Sequence, residues 1–128
     1  VIHYTSTSSD TAGDNSIMIT NFDHFLRGQD SFFVVDFERL NRDIERSAKL
    51  KRSPTASLGE VVDRFITGQK YHIYTPEEAI ERAMSLLGES EYSLLFNNCE
   101  HFAFWAKTGS KECNQSLIAA YRKHIQVG

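Results

Sequence analysis

Apolar residues recur along this chain in short groups whose period changes, and the changes mark the predicted elements. Val1-Ile2-His3-Tyr4 alternates and carries β-favouring side chains, so it predicts a strand. A polar stretch over 5–15, rich in Ser, Thr, Asp and Gly, reads as a loop, and 16–20 as a second short strand. Asn21 can cap a short helix over 22–27 that closes at Gly28. Phe32-Phe33-Val34-Val35 is unbroken, the pattern of a buried central strand, with Asp36-Phe37 as its extension. Charges then crowd the segment 38–52, where Leu40, Ile44 and Leu50 keep only loose helical spacing. The region 38–56 is therefore expected to be a charged excursion, a solvated helix or a mobile stretch.

After Pro54 the signals sharpen. Ser57 and Glu60 form a capping pair, Val61, Val62, Phe65 and Ile66 supply one face, and Gly68 is the stop. Residues 71–74, Tyr-His-Ile-Tyr, are a strand by composition. Thr75-Pro76-Glu77-Glu78 combines a cap, a proline at the first helical position and a capping-box glutamate. The helix it starts is expected to turn Ile80, Ala83, Met84 and Leu87 inward and to end at Gly88. The apolar run Leu94-Leu95-Phe96 breaks at Asn97 and Asn98. Cys99, Phe102, Ala103, Trp105 and Ala106 then follow at helical spacing, with Gly109 as the stop. Residues 115–127 read as a last helix, Leu117, Ile118, Tyr121 and Ile125 inward. The expected fold class is α+β. A small antiparallel sheet of the strands at His3, 17–19, 32–35 and 71–74 packs against helices, and the helix starting at Cys99 meets the strand of His3.

Composition narrows the function classes. A chain of 128 residues fits one domain with a core that needs no staples. A net charge of −3 with no long basic stripe argues against nucleic acid as partner. Lys49, Lys51 and Arg52 are the one local cation cluster suited to anionic head groups, and acidic residues interrupt the charges before it. Two cysteines without CxxC spacing predict neither a zinc site nor a disulfide scaffold, and no cofactor or metal is expected. Reduced thiols fit a cytoplasmic setting. No apolar run approaches the length of a membrane span and no signal peptide is visible, so the expectation is a soluble chain, peripheral to membranes at most.

Candidate chemistry centres on Cys99. At a helix start, unpaired N–H groups and the positive end of the helix dipole favour a thiolate. The alternative is a small hydrophobe on the helix's inner face, and position alone does not separate the two. A nucleophilic reading needs a histidine. Glu100 and His101 neighbour Cys99 on the helix and point away from it, which gives His101 a packing or hydrogen-bonding role. His24 and His124 read as surface residues, His72 faces either way, and His3 has a rigid strand as its platform.

Asn98-Cys99-Glu100-His101-Phe102 resembles the signature of the lecithin:retinol acyltransferase-like family, the permuted branch of the NlpC/P60 papain-like superfamily. Glu81-Arg82-Ala83, Leu87-Gly88-Glu89, Tyr92, Thr108-Gly109, Ser110 and Gln115 support it, and Val1-Ile2-His3-Tyr4 resembles the family's strand ending in histidine. The resemblance implies a permuted papain-like fold and a thiol acyltransferase or phospholipase-type acyl hydrolase. Its site residues are Cys99 as nucleophile and His3 as base, with Asn98 and His101 as oxyanion or site support. The implied partner is an acyl donor, a phospholipid at a membrane surface. In that family the first catalytic histidine lies on an earlier strand, in a His-x-x-Ile-Tyr-x-Gly type of motif. The chain is thus expected to lack the family's first strands, and to pair with such a strand or with a second copy of itself. Two alternatives stand beside this: a non-catalytic interaction domain of the histidine-box and Asn-Cys type, as in picornaviral 2A proteins, and a cysteine peptidase or amidase.

Overall fold

The computed structural model describes residues 1–5, 16–47, 60–89 and 99–127, without the side chains of Glu60, Val61, Cys99 and Leu117. The elements run β1 (Ile2–Thr5), β2 (Ser16–Ile19), α1 (Phe22–Leu26), β3 (Ser31–Val35), α2 (Phe37–Ser47), α3 (Glu60–Thr67), α4 (Pro76–Met84), α5 (Cys99–Thr108), α6 (Gln115–Ile118), a 3₁₀ turn (Ala119–Tyr121) and β4 (Arg122–Gln126). The class is α+β, as expected, but the strands form two two-stranded antiparallel sheets, β1-β2 and β3-β4. The chain divides into two compact units, residues 1–30 with 74–111, and residues 31–73 with 112–128. Among the described residues no helix is long and apolar enough to cross a membrane.

The first unit holds β1, β2, α1, α4 and α5. Its hairpin pairs Ile2 with Ile19, His3 with Met18 and Tyr4 with Ile17. Side chains alternate across a strand, so one face carries Ile2, Tyr4 and Ile17. That face packs against Ala83 and Leu86 of the α4 segment and against Phe102, Trp105 and Ala106 of α5. The Ile17 N–H donates to the Glu89 carbonyl (3.0 Å) and the Gly88 N–H to the Ile17 carbonyl (2.8 Å), joining the end of the α4 segment to β2. α4 begins as its sequence demands: Thr75 accepts from the Glu78 N–H at 3.2 Å, and the Glu78 carboxylate accepts from the Thr75 N–H at 3.0 Å. Its inward face is a correction, however. Ile80 and Met84 are 54% and 47% exposed, Leu87 is exposed too, and Ala83 is the buried residue of the helix. The small side chain at Ala83 lets α5 approach, so the core lies one residue round the helix from the bulkier stripe.

The second unit holds β3, α2, α3, α6, the 3₁₀ turn and β4. α2 is a helix anchored by fully buried Leu40 and Ile44, which meet at i, i+4 spacing. Asp36 does not extend β3. Its carboxylate accepts from the Arg39 N–H at 3.0 Å, three residues on, and that bond holds its pKa below the ordinary carboxylate value. Phe33 of β3 is 59% exposed, so β3 is no buried central strand. The last helix expected over 115–127 is also corrected. It stops at Ile118, and Arg122–Gln126 pair with Ser31–Val35, Phe32 opposite Ile125. Residues 71–74 form no strand. Both backbone groups of Tyr71 are met by the amide of Asn41 instead, at 2.8 and 3.0 Å. The Lys49, Lys51 and Arg52 cluster, Ser57, Tyr92, Asn97 and Asn98 lie outside the described residues.

Candidate functional site

Strand alternation sends His3 and Thr5 to the opposite hairpin face from the α5 core, and there α1 covers them. α1 starts where Asn21 accepts from the His24 N–H at 2.8 Å. It closes at Arg27, whose left-handed backbone (φ 49°) is followed by Gly28 at φ 81°. His3 is 7% exposed and Thr5 is fully buried. The rings of His24 and Phe25 meet the His3 ring edge-on, each with centroids 5.6 Å away. His3 Nε2 lies 2.7 Å from Thr20 Oγ1. Arg27 Nη2 donates to Thr5 Oγ1 at 2.7 Å and to His24 Nε2 at 3.2 Å. A guanidinium has only donors, so His24 Nε2 carries a lone pair in this arrangement. His24 is therefore half-buried in a polar cluster and not the surface residue that its sequence setting suggests.

Cys99 is the first residue of α5, in the turn whose backbone N–H groups have no partner within the helix. Its side chain and Asn98 lie outside the described residues. α5 packs against β1 and α4 within the first unit. The far end of the helix is held firmly. The Gly109 N–H donates to the Trp105 carbonyl (2.8 Å), with Gly109 in the left-handed region at φ 78°, and Thr108 Oγ1 donates to the Phe104 carbonyl (2.8 Å). His101 is buried and its Nε2 pairs with the Lys111 carbonyl, so this histidine ties the helix to the segment that follows it.

Arg82 is the residue that sequence reasoning missed as a part of this assembly. Its Nε and Nη2 donate to the carbonyls of Ala106 (3.2 Å) and Trp105 (3.1 Å), and its guanidinium lies over the rings of Tyr74 (4.3 Å) and Trp105 (4.2 Å). A cation thus sits at the negative end of the α5 dipole. The signal in the sequence is weak: Arg82 shares its helix side with Ala79, Ala83 and Leu86, small or apolar neighbours that mark an inward arginine.

The remaining candidates belong to the second unit. His72 is exposed, and His124 is exposed on β4 with its ring 5.4 Å from that of Phe33. Cys113 is a half-buried cysteine in no disulfide, in the second unit. Among the described residues no group of three or more His, Cys, Asp or Glu side chains could hold a metal ion.

Comparison with known proteins agrees with the Asn-Cys-Glu-His-Phe motif. The chain is 50% identical over 40 residues to lecithin retinol acyltransferase of Homo sapiens and 53% identical over 34 residues to that of Bos taurus. These matches cover 31% and 27% of this chain, and the chain spans 17% and 15% of the length of the two relatives. No solved structure matches it. Residues 1–112 match the family described as lecithin retinol acyltransferase, and the chain belongs to that family.

Proposed function

We propose that this chain transfers or hydrolyses phospholipid acyl groups through a thioester at Cys99, with His3 as the base. The observation that supports this is the family match over residues 1–112, which takes in both His3 and the Asn-Cys-Glu-His-Phe motif; α5 itself packs on β1 through the face of Ile2 and Tyr4. The lipid in the names of the two relatives is the second support for an acyl substrate. His3 takes the thiol proton, and the Cys99 sulfur attacks the ester carbonyl carbon. Backbone N–H groups of the first turn of α5, with Asn98 beside them, steady the oxyanion. The carbon–oxygen bond of the ester breaks, and the imidazolium returns its proton to the departing alcohol. Water or an alcohol or amine acceptor then gives its proton to His3 and attacks the thioester, releasing the Cys99 thiolate. Because His3 lies on the α1 side of β1, this mechanism needs the reacting sulfur on that side.

The test is intact-protein mass spectrometry after a short-chain phosphatidylcholine is mixed with the chain. An acyl adduct is expected on the wild type and on Cys113→Ser, and none on Cys99→Ala. His3→Gln should slow adduct formation by about two orders of magnitude, the contribution of a positioned base. A folded wild type that forms no adduct with any acyl donor favours the interaction-domain reading instead.

A further inference from the structure

β3 and β4 pair over Ser31–Val35 and Arg122–Gln126, and successive side chains of a strand point to opposite faces. Phe33 is 59% exposed and its neighbour Val34 is 42% exposed, so both faces of the ribbon are open to solvent there. On one face the Phe33 ring lies 5.4 Å from the His124 ring, and the Arg122 guanidinium lies 5.8 Å from the Phe33 centroid. On the other face Val34 stands opposite Lys123, and the next pair on that face is Phe32 with Ile125, itself exposed. Arg122, Lys123 and His124 are all exposed. Aliphatic, aromatic and cationic side chains are thus presented together on one narrow element.

The charge is as uneven as the hydropathy. The chain as a whole carries −3, yet no residue that pairs in β3 or β4 is acidic. Asp30 precedes β3 at the Gln126 end of the ladder, away from Arg122 and Lys123. Asp36, at their end, accepts from the Arg39 N–H, and the charges of Lys123, Arg39 and Arg42 also act on its carboxylate. One negative charge there faces three positive ones.

We propose that the β3–β4 ribbon is a docking surface for an anionic phospholipid bilayer, with Phe33, Val34 and Ile125 entering the boundary between head groups and acyl chains while Arg122 and Lys123 pair with the head groups. Edge-on entry of a two-stranded ribbon brings both of its faces to lipid together, and apolar side chains flanked by cations are the composition that binds such an interface. A symmetric contact with a second copy is disfavoured, because it would bring Arg122 and Lys123 against their own like charges. The ribbon is invisible in the sequence pattern, which reads 115–127 as a helix with Ile125 inward; strand pairing is what turns Ile125 outward beside the cations. Docking is independent of thioester chemistry at Cys99, since binding is read without turnover.

The test is co-sedimentation of the chain with vesicles of phosphatidylcholine and with vesicles of phosphatidylcholine mixed with phosphatidylserine. Wild type should bind the phosphatidylserine vesicles the more tightly, and less so as salt is raised. Arg122→Gln with Lys123→Gln should weaken that binding roughly 25-fold, about fivefold for each cation lost at an anionic surface. Phe33→Thr with Val34→Thr keeps side chains that suit a strand and should weaken binding about tenfold, at high salt as well as low. Arg46→Gln with Lys111→Gln changes the net charge by the same amount at exposed positions outside the ribbon, and should bind as wild type does. Urea unfolding checks that each variant is folded. Equal binding to both kinds of vesicle overturns the proposal, as does a charge pair in the ribbon that matters no more than the control pair. A Phe33/Val34 variant with wild-type binding overturns it too, since charge alone would then hold the chain. Self-association that these ribbon variants abolish, with no vesicle binding by wild type, assigns the surface to a second copy instead. Failure here leaves the Cys99 adduct test untouched, and a chain that docks but forms no adduct overturns only the acyl-transfer reading.

Discussion

Replacing Arg82 with methionine removes the guanidinium while keeping a long side chain that suits a helix. Each of its two bonds to a carbonyl of α5 is a hydrogen bond from a charged donor, about 1.5 kcal/mol at the low end that suits a half-buried group. The contacts over Tyr74 and Trp105 contribute about 0.5–1 kcal/mol each at partly exposed positions. The charge at the C-terminal end of α5 contributes about 0.3–1 kcal/mol more. All of these share one guanidinium and are not additive, so the expected loss is about 2–4 kcal/mol. The carbonyls fare differently in the variant. Trp105 keeps the Gly109 N–H as a partner, whereas Ala106 loses its guanidinium donor. Trp105 is the sole tryptophan, so urea unfolding followed by its fluorescence reads the first unit directly. Arg82→Lys keeps the cation but not the fork and should fall between wild type and Arg82→Met. A loss below about 0.5 kcal/mol for Arg82→Met, the usual range for an uninvolved surface residue, would refute the claim that this arginine holds the end of α5. A wild-type stability for Arg82→Lys would show that charge alone matters.

In the second unit, Tyr121 donates to Asp43 at 2.9 Å, and burial together with that bond pushes its pKa up from 10.0 to about 12. The folded state favours the neutral phenol, so its contribution to stability is complete below pH 10 and is lost as pH rises toward 12. Tyr121→Phe should lower stability at neutral pH and flatten that alkaline loss; identical alkaline curves for the two proteins would exclude the assignment. Thr75→Ala removes the side-chain half of the α4 capping box and should cost about 1 kcal/mol in thermal or urea unfolding. Thr75→Ser should be close to neutral, and a Ser variant as damaged as Ala would point away from the cap.

What the sequence by itself determined is what short-range chemistry controls. The Asn21 and Thr75 caps act within three residues, and both form as their side chains require. Gly109 ends α5 because a left-handed residue is needed after the last turn, and glycine adopts it without strain. The start of that helix at Cys99 and its end at Thr108 were legible for the same reason. Faces and partners were decided only in the tertiary structure. Ile80, Met84 and Leu87 have the right spacing for a core stripe, yet the close approach of α5 selects Ala83 because its side chain is small. Residues 122–126 keep no strong local preference, and it is pairing with 31–35, some ninety positions earlier in the chain, that makes them a strand. The Tyr71 backbone could have entered a sheet, but the Asn41 amide satisfies it first. The polar cluster around His3 follows the same rule. Thr20, His24 and Arg27 lie seventeen to twenty-four positions away from it, and only hairpin closure and the turn of α1 bring Thr20 and His24 to its imidazole and Arg27 to Thr5 and His24 beside it. Local capping energies can be read from neighbours in the chain, whereas a contact across a closed loop depends on which face the whole unit buries.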